Sequence, residues 1–485
     1  MFLVQLAALA LHRAGTSSLP ESEGEWATLL RGLTPAFPED EPWCLVVEDP
    51  SKPAFFQPPV PAGMALKTPV LTPDALDLLI TSKNHDLKQV VAQQADAHDW
   101  ILALASLQTS EGFGGAGNYG IARMNGGSSS RPMIGLAPLS QHNCKVNTPR
   151  QGMWFVRDVA VLLATREEQL KECSHLGYAP ACGLGLTWLA PWDDGKQLAL
   201  GDLDIWFVEV CRRIRLSMEN GHIAGKRGNS KASRISAGHL KGATGDPWAP
   251  VDLKENKSLT LSEKDFDYAM LVKLLLSGDY KLPVLARSSE FETAEQTLAI
   301  VAQALSRGNS KTYGFKSRIL PLGGKISRAL SLAPKREMLH ELARKQMAEI
   351  KKFDKALRDA LVLLASGGNV EKEKIRKEHY ARTDEARSRF DRAADTMFFE
   401  HLWRRFEAQE VSLDALQQEE RSFVQHLYVD ARSVFLAALP SIPCIRMLRP
   451  RAEARASKRF YQSVRTEFPE LFQRTVHEET DDAVA

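Results

Sequence analysis

Through the last third of the chain, apolar residues recur at three- and four-residue steps. Leu339, Leu342, Ile350, Phe353, Leu357 and Leu364 trace one such stripe, the period of a helix with one buried face. It stops at Ser366-Gly367-Gly368, a suitable helix end. A second stripe, over about Val370–Glu407, turns Phe390, Met397, Leu402 and Phe406 inward. A third helix is expected over about Ser412–Leu439, ending at Pro440, and a fourth over about Ala452–Phe468. Four amphipathic helices with short connections predict an antiparallel four-helix bundle. Before Gly323-Gly324 the pattern is mixed. Leu45-Val46-Val47 and Met133-Ile134-Gly135-Leu136 read as strands, whereas Asp74–Ile80 and Trp154–Leu163 carry helical spacing. Thr109–Arg131 and Asn220–Leu259 read as long irregular segments, the kind of loop that tends to carry function. The fold class is therefore α+β, with a mixed domain over 1–325 and the bundle over 326–485.

The opening Met1–Ala14 run imitates the apolar stretch of a signal peptide but has no basic residue before it, so a buried helix is expected. No hydrophobic run reaches the length of a membrane span, and no membrane partner is expected. Six cysteines without a C-x-x-C pair fit a reducing cytoplasm better than a disulfide framework. Cys173, His175 and Cys182 lack a fourth ligand and a standard zinc spacing, so no metal is assigned.

The balance of 62 Lys and Arg against 60 Asp and Glu conceals uneven placement. Residues 1–110 hold 6 basic and 13 acidic side chains. Arg212–Lys241 holds eight basic residues (Arg212, Arg213, Arg215, Lys226, Arg227, Lys231, Arg234, Lys241) against Glu219 alone. A second basic stretch runs from Arg307 to Arg358. Such blocks make a polyanion partner a live expectation.

Seven glycines fall within the 16 residues from Gly112 to Gly127. A backbone without side chains can adopt positive φ and approach a ligand closely. Gly112-x-Gly114-x-x-Gly117 formally fits a dinucleotide fingerprint, but a helical segment precedes it and Ser128-Ser129-Ser130-Arg131-Pro132 does not open a helix. Gly324-Lys325-Ile326 and Gly308-Asn309-Ser310-Lys311-Thr312 both fail the phosphate-loop pattern. No nucleophile elbow or metalloprotease motif is present either, so no catalytic residue or cofactor is assigned. Two alternatives remain: an enzyme using the glycine-rich loop for a phosphorylated ligand, and a helical scaffold binding only proteins.

The order Thr81-Ser82-Lys83-Asn84-His85-Asp86, the Gly112–Gly127 loop, Gly225-Lys226-Arg227 to Gly245-Asp246-Pro247-Trp248, then Arg307-Gly308-Asn309-Ser310-Lys311-Thr312 and a closing bundle resembles the CasA family over almost the whole chain. That family is the large subunit of the type I-E CRISPR surveillance complex, Cascade. The resemblance implies a non-catalytic, cytoplasmic subunit that reads a protospacer-adjacent motif (PAM) on double-stranded DNA and helps part the strands for guide RNA pairing. Its implied partners are the guide RNA, the duplex target, the Cascade backbone and small subunits, and a recruited helicase-nuclease. It also implies roles for particular residues. Gly112, Phe113, Gly114, Gly115, Ala116, Gly117 and Asn118 would form the PAM-reading loop, and Lys254 or Lys257 a basic finger in the minor groove. Asn309, Ser310, Lys311 and Thr312 would be the strand-splitting wedge, with Arg307, Lys316 and Arg318 on phosphates. Lys83, Asn84 and His85 would touch the guide handle or a neighbouring subunit. The Arg212–Lys241 block would face DNA phosphates. Family members usually open with a further segment, including a strand, ahead of the helix matched by Met1–Ala14.

Overall fold

The computed structural model describes residues 1–76, 95–139, 148–289, 297–308, 311–371 and 375–472. They form two compact units: Met1–Phe266 with Lys273–Ser331, and Asp267–Val272 with the chain from Leu332 onward. Among the described residues, no helix is long and apolar enough to cross a membrane.

The first unit is a mosaic of helices and small sheets. Helix α1 (Phe2–Ala14) is buried continuously from Val4 to Leu11. Val4, Ala7, Ala8 and Leu11 pack into one core with Ile205, Trp206 and Phe207, while Leu6, Leu9 and Ala10 enter another with Trp100, Leu104 and Trp188. A helix buried on both sides must be apolar all round, which explains its likeness to a signal peptide. Helix α2 (Glu23–Arg31) follows, started by a Ser22/Glu25 capping box. Strand β1 (Thr68–Val70) then precedes helix α3 (Ala97–Ser110), which an Asp96/Asp99 capping box starts. Beyond a glycine-rich loop come β2 (Met133–Pro138) and α4 (Gln151–Ala164).

Strand β3 (Leu184–Leu186) lies parallel to the fully buried β4 (Leu203–Val208). The β5 (Arg213–Glu219) and β6 (His222–Gly228) hairpin carries β1 on its β6 edge. Short strands β7 (Val251–Asp252), β8 (Lys257–Ser258) and β9 (Tyr280–Lys281) form a third sheet. The longest hairpin, β10 (Leu298–Gly308) and β11 (Lys311–Leu322), pairs through β10 with β2.

Two expectations fail here. Leu45–Val47 is not a strand; its carbonyls are satisfied by side chains instead, Leu45 O by Gln57 Nε2 at 2.8 Å and Val47 O by Arg215 at 2.8 Å. Asn220–Leu259 is not uniformly irregular, since β6, β7 and β8 all lie in it. The turn Asn220-Gly221, both residues at positive φ, is the standard close of a two-residue hairpin.

In the second unit, α5 (Ala333–Ala365) packs against α6 (Asp384–Val411), α7 (Leu413–Ser441) and α8 (Arg449–Glu467). The first helix ends at Ser366 with Gly367 and Gly368 at positive φ, and Ser412 caps the third by accepting from Ala415 N. The second helix starts later than its pattern suggests, at Asp384, after a separate turn at Lys377–Ala381. Pro440 stands inside the last turn of α7 rather than beyond it. Stacked rings tie the bundle core, Phe353 on Phe468 at 4.5 Å and Phe435 on Phe460 at 4.6 Å.

Candidate nucleic-acid interface

The glycine-rich loop leaves α3 at Glu111 and returns at Arg131, whose amide donates to Ser110 O at 2.9 Å. Its glycines serve two different purposes. At the base, a Cβ on Gly112 would stand 2.2 Å from Gly127 O and 2.4 Å from Ser129 O, and one on Gly120 would stand 2.7 Å from the Gly112 carbonyl carbon. Main chain packs directly on main chain there, and only glycine fits. At the tip, Gly115 has φ +111°, and a Cβ there would meet nothing within 4 Å. Gly114 and Ala116 are exposed. The tip closes on itself through Gly114 N to Asn118 O at 2.8 Å and Asn118 N to Gly115 O at 3.0 Å. Phe113, 40% exposed, lies beside Tyr119 at the flank. Gly117 O accepts from Ser230 N at 3.0 Å, which moors the tip to the chain beyond β6.

Deeper in the loop, Ala122 N donates to both oxygens of the buried Glu209, and Arg123 donates to Ile205 O and Phe207 O while lying over the Phe207 ring. Burial pushes the Glu209 carboxyl up to about 7. Arg131 forms a buried ion pair with Asp246, and its guanidinium stands over Trp248. These groups hold the loop and are shut away from solvent.

Two arginines clasp the two limbs of the loop. Arg212 donates to Gly112 O at 2.9 Å and to Tyr119 O on the outgoing limb. Arg307, near the end of β10, donates through Nε to Ser128 O at 2.7 Å on the returning limb, and its own carbonyl accepts from Ser128 and Ser129 hydroxyls. The Glu111 carboxylate joins them, with Oε2 2.8 Å from Arg212 and Oε1 3.0 Å from Arg307.

The lysine turn belongs to the same platform. Asn125 Nδ2 donates to Ser258 O at 2.9 Å and Ser129 Oγ to Leu261 O at 2.5 Å, so the returning limb runs beside the strand that carries Lys257. In the β7–β8 turn, Asp252 Oδ1 accepts the amides of Lys254 and Glu255, and these bonds hold its carboxyl below the usual range. Lys254 stands exposed at the turn, whereas Lys257 is paired with Glu255. Lys311 and Thr312, exposed at the start of β11, lie opposite Gly308 and Arg307. Asn309 and Ser310, and Lys83, Asn84 and His85, lie outside the described residues.

The basic block does not face solvent as a whole. Arg212 is spent on the clasp. Arg213 donates to Trp192 O and Asp193 O, Arg215 to Val47 O, Asp49 O and Lys52 O, and Arg234 to Thr187 O, Ala190 O and Pro191 O, all buried. Each satisfies carbonyls of irregular chain. Lys226, Arg227, Lys231 and Lys241 are the exposed members. Of the residues expected on phosphates, Arg307 is held by Glu111 and Lys316 pairs with Asp265 at 2.8 Å. No group of three or more His, Cys, Asp or Glu is arranged to hold a metal ion among the described residues. The residues that sequence reasoning missed are Glu111 and the Ser128–Ser129 hydroxyls. Their only local signal is an acid and a serine run flanking the glycines.

Neither a family model nor a curated protein matches this sequence. The fold does match solved structures. Thermus thermophilus CasA (Cse1) aligns with a TM-score of 0.57 at 16% identity, covering 96% of this chain and 88% of that one. A second crystal structure of Thermus thermophilus CasA aligns at 0.55 and 15% identity, over 95% of this chain and 89% of that one. A CRISPR associated protein from Thermus thermophilus aligns at 0.53 and 17%, over 96% and 88%. The chain has the CasA fold along nearly its whole length.

Proposed function

We propose that this chain is the large, non-catalytic subunit of a type I-E CRISPR surveillance complex, and that the Gly112–Asn118 loop inspects the minor groove of duplex DNA for a PAM. The carrying observation is the convergence of three separately predicted segments. The returning limb of the glycine loop is hydrogen-bonded through Asn125 and Ser129 to β8 and the chain just beyond it, which follow the Lys254 turn, and through Ser128, Ser129 and Arg307 to the β10–β11 hairpin. The fold shared with CasA adds to this reading.

The chemistry of the tip suits the task. The minor groove is narrow, roughly 6 Å wide, and its base edges distinguish little beyond A·T from G·C. A tip of Gly114, Gly115 and Ala116 brings main-chain amides and carbonyls to that depth without side-chain bulk. Lys254 supplies a cation at the adjacent turn, and Lys226, Arg227, Lys231 and Lys241 supply phosphate contacts whose strength falls with salt. Lys257, already paired with Glu255, is the lesser candidate for the finger. The hairpin end at Asn309–Thr312 then parts the strands, at a cost of a few kcal/mol per unstacked step. Guide pairing takes over from there. In the same reading Lys83, Asn84 and His85 contact the guide handle or a backbone subunit, and a helicase-nuclease is recruited afterwards.

The test is Ala116→Asp in the complex reconstituted with guide RNA, offered guide-matched duplexes with every short flanking motif. A carboxylate at this exposed position repels the groove without disturbing the loop base. Duplex binding is expected to weaken at least tenfold with assembly on the RNA-bound backbone retained. Wild-type duplex binding by this variant rejects the assignment.

A further inference from the structure

Glu111 sits at the C-terminal end of α3, largely buried, and its two oxygens go to different arginines. The two partners belong to different machinery. Arg212 holds the outgoing limb of the glycine loop at Gly112 and Tyr119. Arg307 lies on β10, opposite Thr312 and one residue before Gly308, where the described part of that strand ends. The β10–β11 register slips between Ser306 and Arg307, so the last two pairs, Arg307 with Thr312 and Gly308 with Lys311, continue the ladder beyond a bulge. Arg307 is held there as well by its bonds to Ser128 O, to Ser129 Oγ and to the Glu111 carboxylate.

We infer that Glu111 is a positioning residue that links the hairpin end to the loop, so that docking of the loop and opening of the duplex occur as one event. This rests on the proposed function above. A single carboxylate held by two guanidinium groups is a short, stiff link in a site from which water is largely excluded, where charge-assisted bonds are strongest. The loop does not depend on it alone. Arg212 still reaches Gly112 O and Tyr119 O without the carboxylate, and Asn125 still reaches Ser258 O. The hairpin end keeps its bonds to Ser128 and Ser129 but loses the charged partner that ties Arg307 to Arg212.

Glu111→Gln tests the link. The amide keeps the shape, but its oxygen can accept from only one arginine, and its NH2 group meets the other donor. In the reconstituted complex, strand opening of a fully paired, guide-matched duplex, read by permanganate reactivity, is expected to slow more than tenfold. Binding of that duplex is expected to fall no more than threefold, and a target with the first guide-proximal pairs already mismatched open should restore the wild-type rate. Opening of the paired duplex at the wild-type rate overturns the inference. So does equal loss of binding and opening on paired and pre-opened targets, which is what general loosening of the fold produces. Should Glu111→Gln not fold, Arg307→Lys serves. It keeps the charge but cannot span Ser128 O and the carboxylate together, and the same split between paired and pre-opened targets is expected. A wild-type complex that neither binds nor opens duplex DNA would remove the proposed function itself, an outcome separate from any behaviour of the variants.

Discussion

In the first unit, Arg131, Arg213, Arg215 and Arg234 turn their guanidinium groups inward, onto main-chain carbonyls and a buried carboxylate. In the helical unit, Arg389 and Arg404 lie along an exposed face, each four residues from the glutamate it pairs with. The difference follows from how each unit satisfies its backbone. A helix bonds its own carbonyls, so its arginines are free for the surface. Irregular chain buried between small sheets has carbonyls left over, and a five-donor fork is the side chain best able to serve several at once. An arginine in a loop-rich unit therefore signals internal wiring as readily as a polyanion site. The helical unit uses the same device where its helices end or a charge is buried: Arg449 donates to Leu439 O and Ile442 O, Arg451 to Gly367 O, and Arg405 is buried against Glu349 at 2.7 Å.

The largest expected effect sets one kind of arginine against the other. Arg131→Met strands the buried Asp246 and should destabilise the protein by about 3–5 kcal/mol, whereas Arg389→Ala should cost about 0.3–0.5 kcal/mol. Calorimetric melting of the two variants decides it, and equal shifts in Tm would break the contrast.

The next effect is pH-dependent and confined to the mosaic unit. The folded state raises the Glu209 carboxyl from 4.5 to about 7, so it favours the protonated form. The stabilisation from this group is present below its unfolded pKa and is lost as pH climbs towards 7. Glu209→Gln, which keeps an oxygen for Ala122 N, should gain on wild type between pH 5 and pH 8, by up to about 3 kcal/mol. A Tm difference flat across that range would show that burial does not govern this carboxyl.

The smallest effect separates the two classes of glycine. Gly112→Ala forces the base apart and should cost about 1–3 kcal/mol, in the range of overpacked sites. Gly115→Ala meets open space and bears only the strain of its positive φ, about 1 kcal/mol. The ratio of the two Tm shifts is the measurement. A larger loss at Gly115 than at Gly112 would reverse the assignment of base and tip.

The helical unit was readable from the sequence because its information is local. Each stripe at helical spacing marks a buried face, and Gly367-Gly368 and Ser412 mark a stop and a start. Helix α1 was readable as well, as a continuous apolar run. The mosaic unit was not. Leu45 and Val46 are apolar because they pack, not because they pair, and the donors that serve the Leu45 and Val47 carbonyls arrive from Gln57 and Arg215. The β5–β6 hairpin carried a turn signal in Asn220-Gly221 that the irregular reading of Asn220–Leu259 passed over, because β6 is too polar to display an alternating pattern. The inward turn of Arg213 and Arg215 had a faint mark as well: they alternate with Ile214 and Leu216 in a strand buried on both faces. For the candidate site, the glycine loop and the exposed Lys254 were legible as residue types. The Glu111 link joins positions 101 and 196 residues apart in sequence, and no local pattern records such a meeting.

The stacked glycines at the loop base also bear on how such a protein can change over generations. Where Gly112 and Gly120 press backbone on backbone, not even a methyl group is admitted; a little further out, at Ala116, a side chain already projects into solvent. Heritable variation is thereby channelled outward, to the exposed tip, while the frame that presents it stays fixed.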